Sequence, residues 1–288
     1  RHGLRPTIEH GLERRGRAIV IPIRDSNPAR RAPVVTIALI AANVAVFVLW
    51  QPSFGTQRQQ DVFYFCHAEI PFEVSHQENL AQGGLQARLA LDEDFGAGNG
   101  ALVQSTVQEE CPDKSWLLSV FVAMFLHGGW LHLGGNMLFL WVFGNNVEDR
   151  LGYVVYPLFY VLGGLAASGL QLAFDANSTI PSLGASGAIG AVLGAYIVLF
   201  PHARVTTLVI FFFITVVEIR AGVVLAIWFV LQLFSGVGQL GSDVNGGVAY
   251  WAHVGGFAFG ALVAWLFYRR RGGIEPPVYG VPGRPDAF

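Results

Sequence analysis

Long apolar segments separated by short polar ones run through most of the chain, and this alternation predicts the main elements. The windows without Asp, Glu, Lys or Arg cover residues 121–147, 151–174, 176–203, 221–242 and 244–268. Because a helix needs about 20 mostly apolar residues to cross the hydrocarbon core of a bilayer, such windows predict membrane-spanning helices. Six spans are predicted, and they cover residues 34–50, 130–147, 153–174, 186–200, 220–234 and 250–268.

Three segments between the predicted spans follow other patterns. Residues 51–114 are polar and rich in acidic side chains, which predicts a long loop between the first and second spans. Residues 115–126 are apolar but short, so we expect them to lie in the membrane or at its interface. Residues 205–217, VTTLVIFFFITVV, are mostly β-branched and aromatic. They predict either an interfacial hairpin or the first part of a tilted fifth helix.

The composition supports a multi-pass membrane protein. The 288 residues are 53% hydrophobic and 13% charged, whereas soluble domains carry about 25% charged residues. The net charge of −2 indicates no polyanionic partner such as nucleic acid. The predicted organisation is a basic segment, 1–33, an all-α membrane domain, 34–268, and a flexible tail rich in Arg, Gly and Pro, 269–288.

The positions of lysine and arginine predict the orientation of the spans, because cytoplasmic connections carry an excess of these residues. Arg58, Arg88 and Lys114 are the basic residues of the long 51–114 loop. With that loop outside, the inner segments carry Arg30, Arg31, Arg150, Arg204, Arg220 and Arg269 to Arg271. Both termini are therefore predicted to be cytoplasmic, and the long loop is predicted to face outward.

The two cysteines, Cys66 and Cys111, both lie in the long outward loop. In an oxidising compartment such a pair can form a disulfide that closes a loop of about 45 residues. We predict this disulfide, and two unpaired thiols are the alternative.

Four polar side chains lie at membrane depth, where polar groups are costly and mark candidate functional sites. His132 and Asn136 are four residues apart, so a helix places them on one face. Ser186 opens the fourth span within the sequence GASG, and His253 lies near the start of the sixth. The predicted orientation starts both of these spans from the outer side, which places all four residues at similar depth.

Together these residues meet the requirements of serine catalysis. Ser186 is a poor nucleophile without a base, and His253 on another helix can remove its proton. His132, Asn136 and the backbone N–H of Ser186 are candidate donors to the oxyanion that forms on the attacked carbonyl. The small residues that would let these helices approach closely are Gly184, Gly187, Gly256 and Gly260. Ordinary helix packing is the alternative explanation for each residue taken singly.

The order and spacing of these residues resemble the rhomboid family of intramembrane serine proteases. The matching motifs are His132-xxx-Asn136, Gly144-xxx-Glu148-xxx-Gly152, Gly184-x-Ser186-Gly187 and Ala252-His253-xx-Gly256-xxx-Gly260. The resemblance covers residues 30–270, and the stretch RDSNPARRAPVVT before the first span resembles bacterial members.

The resemblance implies a six-transmembrane-helix rhomboid bundle with a long outward loop between helices 1 and 2. It also implies a serine endopeptidase that cuts transmembrane segments of other membrane proteins with a Ser186–His253 dyad. The implied partners are transmembrane substrates and membrane lipid, without nucleic acid, metal or cofactor. The implied location is a bacterial plasma membrane, and the oligomeric state is left open.

Several positions depart from the family pattern or extend it. Bacterial members carry an aromatic residue four positions after the nucleophile, stacked on the dyad histidine, and Gly190 stands there instead. What orients His253 is therefore an open question. Glu148 is expected to tie the inner helix ends together rather than to catalyse. The glycine-rich residues 235–250 predict a gate over a water-filled cavity, with an ordinary flexible connection as the equal alternative.

Two other functions are alternatives to proteolysis. An inactive rhomboid relative that binds or escorts membrane proteins would lack the serine or the histidine, whereas this chain has both Ser186 and His253. A transporter or channel that uses His132 and His253 as a proton path would be expected to have a carboxylate at membrane depth, and the predicted spans contain none.

Overall fold

The computed structural model describes residues 19–27, 29–210, 214–239 and 248–268. The predictions made for residues 1–18, for 240–247 of the expected gate and for the 269–288 tail lie outside the described residues. In chain order, the elements are β1 (Ile19–Asp25), α1 (Val34–Ala45), α2 (Gln57–His67), α3 (Pro71–His76), α4 (Leu85–Phe95), α5 (Gly100–Glu110), α6 (Trp116–Ala123), α7 (Trp130–Leu151), α8 (Val155–Phe174), α9 (Ser186–Leu199), β2 (Arg204–Ile210), β3 (Ile214–Arg220), α10 (Ala221–Gln239) and α11 (Tyr250–Val263). Helices α1 and α11 each continue as a short π-helical segment, Val46–Trp50 and Ala264–Tyr268.

The described part of the chain is mostly helical, and helices occupy all the predicted spans. By length and composition, Val155–Phe174, Ala221–Gly238 and Tyr250–Tyr268 could each cross a membrane. Val34–Trp50 and Ser186–Leu199 are shorter apolar helices. Helix α7 is 22 residues long, but its last turn contains charged side chains. The count of six membrane spans stays a prediction.

Helix α9 lies at the centre of the bundle. Its residues from Gly187 to Tyr196 are all buried, and they pack against α7, α8 and α11. Helix α10 is different, because only 17% of its apolar window is buried, compared with 39% for α8 and for α11. In a bilayer most of the α10 surface would therefore face lipid, whereas α9 contacts protein on all sides.

Residues 51–114 fold into helices α2–α5, and we call this unit the disulfide cap. A capping box of Thr56 and Gln59 begins α2, because each side chain satisfies the free backbone N–H of the other. Cys66 and Cys111 form the predicted disulfide. The unit has a small core of its own, which consists of Ile70, Phe72, Leu80, Ala87 and Leu91. The polar composition predicted a loop here, but these apolar residues are enough to hold short helices together.

A three-stranded antiparallel sheet in the order β1-β2-β3 lies beside the bundle. Strands β2 and β3 pair with Val205 opposite Ile219, so of the two alternatives for residues 205–217 the hairpin is the one observed. Strand β1 pairs with β2 through Ile21 and Leu208. It was not predicted, because its five apolar residues form too short a run to stand out within the basic 1–33 segment.

Glu148 joins the start of α1 to the end of α7, as the sequence predicted. Its carboxylate accepts hydrogen bonds from the backbone N–H groups of Val35 (2.8 Å) and Thr36 (2.7 Å) and from the Thr36 hydroxyl (2.7 Å). The first N–H groups of a helix have no partner within the helix. A carboxylate there satisfies them and also interacts favourably with the positive end of the helix dipole.

Candidate active site

Ser186 is the first residue of α9, and its position is set by a tight turn. Gly184 has φ of +131°, a conformation that residues with a Cβ rarely adopt. The Gly184 N–H donates to the carbonyl of Ala123 at the end of α6 at 2.8 Å. Because Ser186 begins the helix, its own N–H belongs to the first turn, where backbone donors are free to bind an anion.

His253 lies in the first turn of α11 and contacts the serine directly. Its Nε2 is 2.8 Å from Ser186 Oγ, which is a hydrogen-bond distance. The structure therefore brings together the two residues that the sequence predicted as nucleophile and base, although they are 67 positions apart.

Glycines allow α9 and α11 to pack with their backbones in contact. A Cβ added to Gly256 would lie 2.0 Å from the carbonyl oxygen of Gly187, and one on Gly260 would lie 1.9 Å from that of Ala191. Both distances are far inside van der Waals contact, so no other residue fits at either position. The helices thus approach closely along this glycine face, with His253 within hydrogen-bond distance of Ser186.

His132 lies in the first turn of α7 with one ring nitrogen directed toward the serine. The N–H of Gly128 donates to His132 Nδ1 at 3.2 Å, so the neutral ring carries its proton on Nε2. A Cβ on Gly184 would lie 2.9 Å from His132 Nε2 and 3.4 Å from Ser186 Oγ. The His132 ring and the Ser186 hydroxyl therefore both border the space that a side chain at Gly184 would fill.

Asn136 follows His132 one turn later on α7, and its side chain is buried. Its residue exposure is 8%, and its Nδ2 group has no hydrogen-bond partner within the described part of the chain. A buried donor without a partner is unfavourable and calls for an explanation. A substrate oxyanion would satisfy it, which agrees with the predicted role.

Helix α10 supplies two contacts to His253 that the sequence did not predict. His253 Nδ1 is 2.6 Å from Gln232 Oε1. The indole of Trp228 lies with its centroid 5.8 Å from the imidazole centroid. Gly190 stands where an aromatic residue was expected to stack on the histidine, and a Cβ there would lie 3.0 Å from the carbonyl oxygen of His253. A larger side chain at this position would therefore require a small shift of the α11 backbone. The His253 ring is therefore contacted by two side chains of α10 as well as by Ser186 of α9.

A small cavity of about 40 Å³ adjoins Ser186. It is large enough for water, and its polar lining includes Glu69, Ser168 and Ser182. The Ser168 hydroxyl donates to the Glu69 carboxylate. Burial raises the pKa of Glu69 to about 7, partly offset by the bond from Ser168 and by the nearby charge of Lys114. Glu69 comes from the disulfide cap, so this unit reaches the candidate site.

The expected gate differs in part from the prediction. Residues 235–239 belong to α10 instead of a loop, so the glycines at 236 and 238 lie in a helix. The rest of the glycine-rich run, 240–247, lies outside the described residues. Within the part of the chain that the structure describes, no group of three or more His, Cys, Asp or Glu side chains is arranged to hold a metal ion.

Comparison with known families identifies the fold to which this site belongs. The model of the rhomboid domain matches residues 114–270, which is more than half of the chain and includes every predicted site residue. The chain belongs to the rhomboid family. With its apolar helices, this rhomboid is a membrane protein.

Individual relatives agree with the family but come from eukaryotes. Rhomboid protein 1, mitochondrial, of Saccharomyces cerevisiae is 32% identical over 153 residues, which cover 51% of this chain and 41% of that protein. RHOMBOID-like protein 1 of Arabidopsis thaliana is 30% identical over 251 residues, which cover 86% of this chain and 55% of that protein. The chain spans about half the length of the curated relatives it matches. These relatives do not support the expected likeness to bacterial members or a bacterial plasma membrane.

Sequence reasoning about this rhomboid missed Gln232, although a signal was present. Gln232 is a polar residue in the middle of the charge-free 221–242 window, where any polar side chain suggests a function.

Proposed function

We propose that this rhomboid is an intramembrane serine endopeptidase. The observation that carries the proposal is the 2.8 Å hydrogen bond between Ser186 Oγ and His253 Nε2. A serine becomes a nucleophile when a base removes its proton, and the two groups are already within hydrogen-bond distance. The alternative, a rhomboid-like protein that binds or escorts membrane proteins without cutting them, would not require this pairing.

In the first half of the reaction, Ser186 Oγ attacks the scissile carbonyl carbon while His253 Nε2 takes the hydroxyl proton. Negative charge develops on the carbonyl oxygen, and the Ser186 N–H, His132 Nε2–H and Asn136 Nδ2–H are the donors proposed to stabilise it. The tetrahedral intermediate then collapses. The C–N bond breaks, His253 gives its proton to the leaving amine, and an ester to Ser186 remains.

In the second half, water replaces the amine. The 40 Å³ cavity beside Ser186 provides a place for this water away from lipid. His253 removes a proton from the water, the hydroxide attacks the ester carbon, and the proton returns to Ser186 as the acid product leaves. No metal or cofactor takes part in this proposed scheme.

The proposed substrates are transmembrane segments of other membrane proteins. In lipid a helix satisfies its own backbone groups and so hides its carbonyls, which means that a segment must unwind before attack. A segment with a weak helix near its end would therefore be the better substrate. We also propose six spans with both termini cytoplasmic, so that the disulfide cap and Ser186 lie toward the outer side.

The test is cleavage of a model transmembrane substrate by the purified protein in detergent or lipid vesicles. Ser186→Ala and His253→Ala should each lower the cleavage rate by about 10³-fold or more. The matched controls are Ser105→Ala and His202→Ala, at exposed positions away from the site, which should cut like the unaltered protein. Undiminished cleavage by Ser186→Ala would refute the mechanism.

A fluorophosphonate probe gives a second test that needs no substrate. It should modify Ser186 alone, as located by peptide mass spectrometry, and the label should disappear in His253→Ala. Absence of both labelling and cleavage would favour the binding or escort function.

A further inference from the structure

Both ring nitrogens of His253 are engaged, one by Ser186 and the other by Gln232. The Nδ1–Oε1 distance to Gln232 is 2.6 Å and the Nε2–Oγ distance to Ser186 is 2.8 Å. An imidazole held at both nitrogens cannot rotate without breaking a hydrogen bond. The ring is therefore fixed by helices on its two sides, α9 and α10.

The chemistry of Gln232 determines which nitrogen carries the proton. An amide oxygen only accepts hydrogen bonds, so opposite it His253 Nδ1 must carry a hydrogen. The lone pair of the neutral ring is then on Nε2, which faces the Ser186 hydroxyl. This is the tautomer that a general base needs.

We propose that Gln232 is a positioning residue that sets the tautomer and orientation of His253 and thereby supports its action as a base. The inference rests on the proposed endopeptidase function and adds a third member to the dyad. In soluble serine proteases a buried aspartate has this place. Here a neutral amide makes the same hydrogen bond without placing a charge at membrane depth, where charge is costly.

The surroundings of His253 indicate that α10 orients its ring. Trp228 precedes Gln232 by one helical turn, so both side chains lie on one face of α10. Helix α9 offers no stacking side chain at Gly190, where a Cβ would lie only 3.0 Å from the His253 carbonyl oxygen. The orientation of the base therefore depends on α10, whose window is the least buried of the three long apolar ones.

Few other groups are placed to set the protonation and orientation of His253. Ser186 faces His253 from α9, and His132 on α7 is the other titratable side chain that acts on it electrostatically. From α8, Gln171 bonds the neighbouring Ala252 N–H, and it does not titrate. Glu69 lines the cavity beside Ser186. Gln232 is thus a neutral acceptor for Nδ1, and replacing it changes one identifiable bond.

Two substitutions of similar size separate a positioning role from a packing role. Gln232→Met removes the acceptor and should lower kcat by about 10- to 100-fold, as loss of an orienting partner does elsewhere, with KM within about twofold. Gln232→Glu restores an acceptor and should recover kcat to within about tenfold of the original. Leu231→Met, at an exposed neighbouring position, should change neither constant.

The pH profile distinguishes the two variants further. A carboxylate favours the protonated imidazole, so with Gln232→Glu more of the base is blocked at a given pH. The acid limb of kcat/KM should move to higher pH in this variant. The limb would stay in place only if residue 232 did not face His253. Two results together would overturn the proposal: an acid limb that does not move in Gln232→Glu, and a kcat for Gln232→Met equal to that of the original protein.

The tautomer can also be measured without any substrate. Protein labelled with ¹⁵N-histidine should show His253 protonated on Nδ1, with the signal assigned by its loss in His253→Ala. Gln232→Met should lose this form, and an unchanged Nδ1–H signal would overturn the proposal. If the original protein cuts no substrate, the endopeptidase function fails, while loss of the signal in Gln232→Met would still support the positioning role.

Discussion

The two ends of the helical bundle are both held by polar contacts, but they are built from different parts. At the Ser186 end, the disulfide cap forms hydrogen bonds with residues 175–185, the segment that leads to Ser186. The Ser182 N–H donates to the Glu69 carbonyl at 2.7 Å, and the Thr179 hydroxyl donates to the Asp94 carboxylate at 2.7 Å.

At the Glu148 end, one carboxylate caps α1 and a β-sheet is attached through Asp25. The Asp25 carboxylate accepts from the Tyr196 hydroxyl at 2.6 Å and from the Asn146 amide at 2.5 Å. Tyr196 is ten residues after Ser186, so these contacts lie about 15 Å along α9 from the candidate site.

Activity and stability should therefore be linked at the Ser186 end and separate at the Glu148 end. Contacts at the Ser186 end reach the turn that positions the nucleophile, so their loss should reduce both the stability and the cleavage rate. Contacts at the Glu148 end hold helices in register far from the reacting atoms. Their loss should reduce stability while the folded protein retains its activity.

The largest effect is expected for Lys114→Met in the disulfide cap. Lys114 Nζ is 2.6 Å from Glu73 Oε2, and the two side chains are 2% and 0% exposed. Removing one partner leaves a buried charge unpaired, which should cost about 3–5 kcal/mol of unfolding free energy. Thermal unfolding in detergent and cleavage rate should fall together.

The matched control for this pair is the double variant Lys114→Met with Glu73→Met, which removes both charges. Because replacing a whole buried ion pair by apolar residues is often neutral, the double variant should regain much of the lost stability. A single variant as stable as the original protein would contradict the expectation.

Loss of the Cys66–Cys111 bridge should have the next largest effect. Replacing both cysteines by serine should lower the stability by about 2–4 kcal/mol and reduce cleavage, since the cap would hold residues 175–185 less firmly. A thiol-alkylation assay without reductant should show no free thiol in the original protein. Reductant should destabilise the original protein and leave the serine variant unchanged; equal sensitivity of the two would contradict the prediction.

Glu148→Gln tests the other end of the bundle. The amide keeps one acceptor oxygen for the α1 N–H groups but loses the second oxygen and the charge, so a loss of about 1–3 kcal/mol is expected. Cleavage per folded molecule should stay within about twofold, because the site is remote. A large fall in the cleavage rate at full folding would remove the contrast between the ends.

The control for Glu148→Gln is Asp149→Asn on the next residue. Asp149 pairs with Arg30 at 3.5 Å, and the arginine side chain is 54% exposed. The aspartate side chain is 12% exposed, but its arginine partner is open to solvent. Ion pairs with such a solvent-exposed partner contribute about 0–1 kcal/mol, so the control should be nearly as stable as the original protein.

The smallest effect is expected for Glu69→Gln, and it should depend on pH. Burial raises the pKa of Glu69 from its ordinary value of 4.5 to about 7. A carboxyl with a raised pKa stabilises the fold fully below its unfolded value, and this contribution is lost as the pH rises through the folded value. The loss should therefore occur between about pH 4.5 and 7.

Glutamine keeps the acceptor for Ser168 but does not ionise, so Glu69→Gln should flatten this dependence. The measurement is the melting temperature at a series of pH values across that window. Glu109→Gln, at an exposed position of α5, should leave the slope unchanged. A slope that persists in Glu69→Gln would show that another group causes it.

Much of the candidate site could be predicted because it depends on local spacing. His132 and Asn136 share a helix face by their separation alone, and GASG marks a tight helix start before Ser186. The β1 strand could not be predicted, because its pairing with β2 joins residues about 190 positions apart. The helical cap was missed because a small apolar core within a polar segment leaves only a weak periodic signal.

Composition and motifs within single segments were enough to predict the apolar helices, the family and the identity of the serine, the histidines and the glycines. The contacts that hold His253 followed only from the packing of the helices. Gly190 has no side chain to stack on the ring, and Gln232 and Trp228 approach it from α10. Contacts between helices depend on how their surfaces fit, and the spacing along one helix does not specify which side chain of another will meet it.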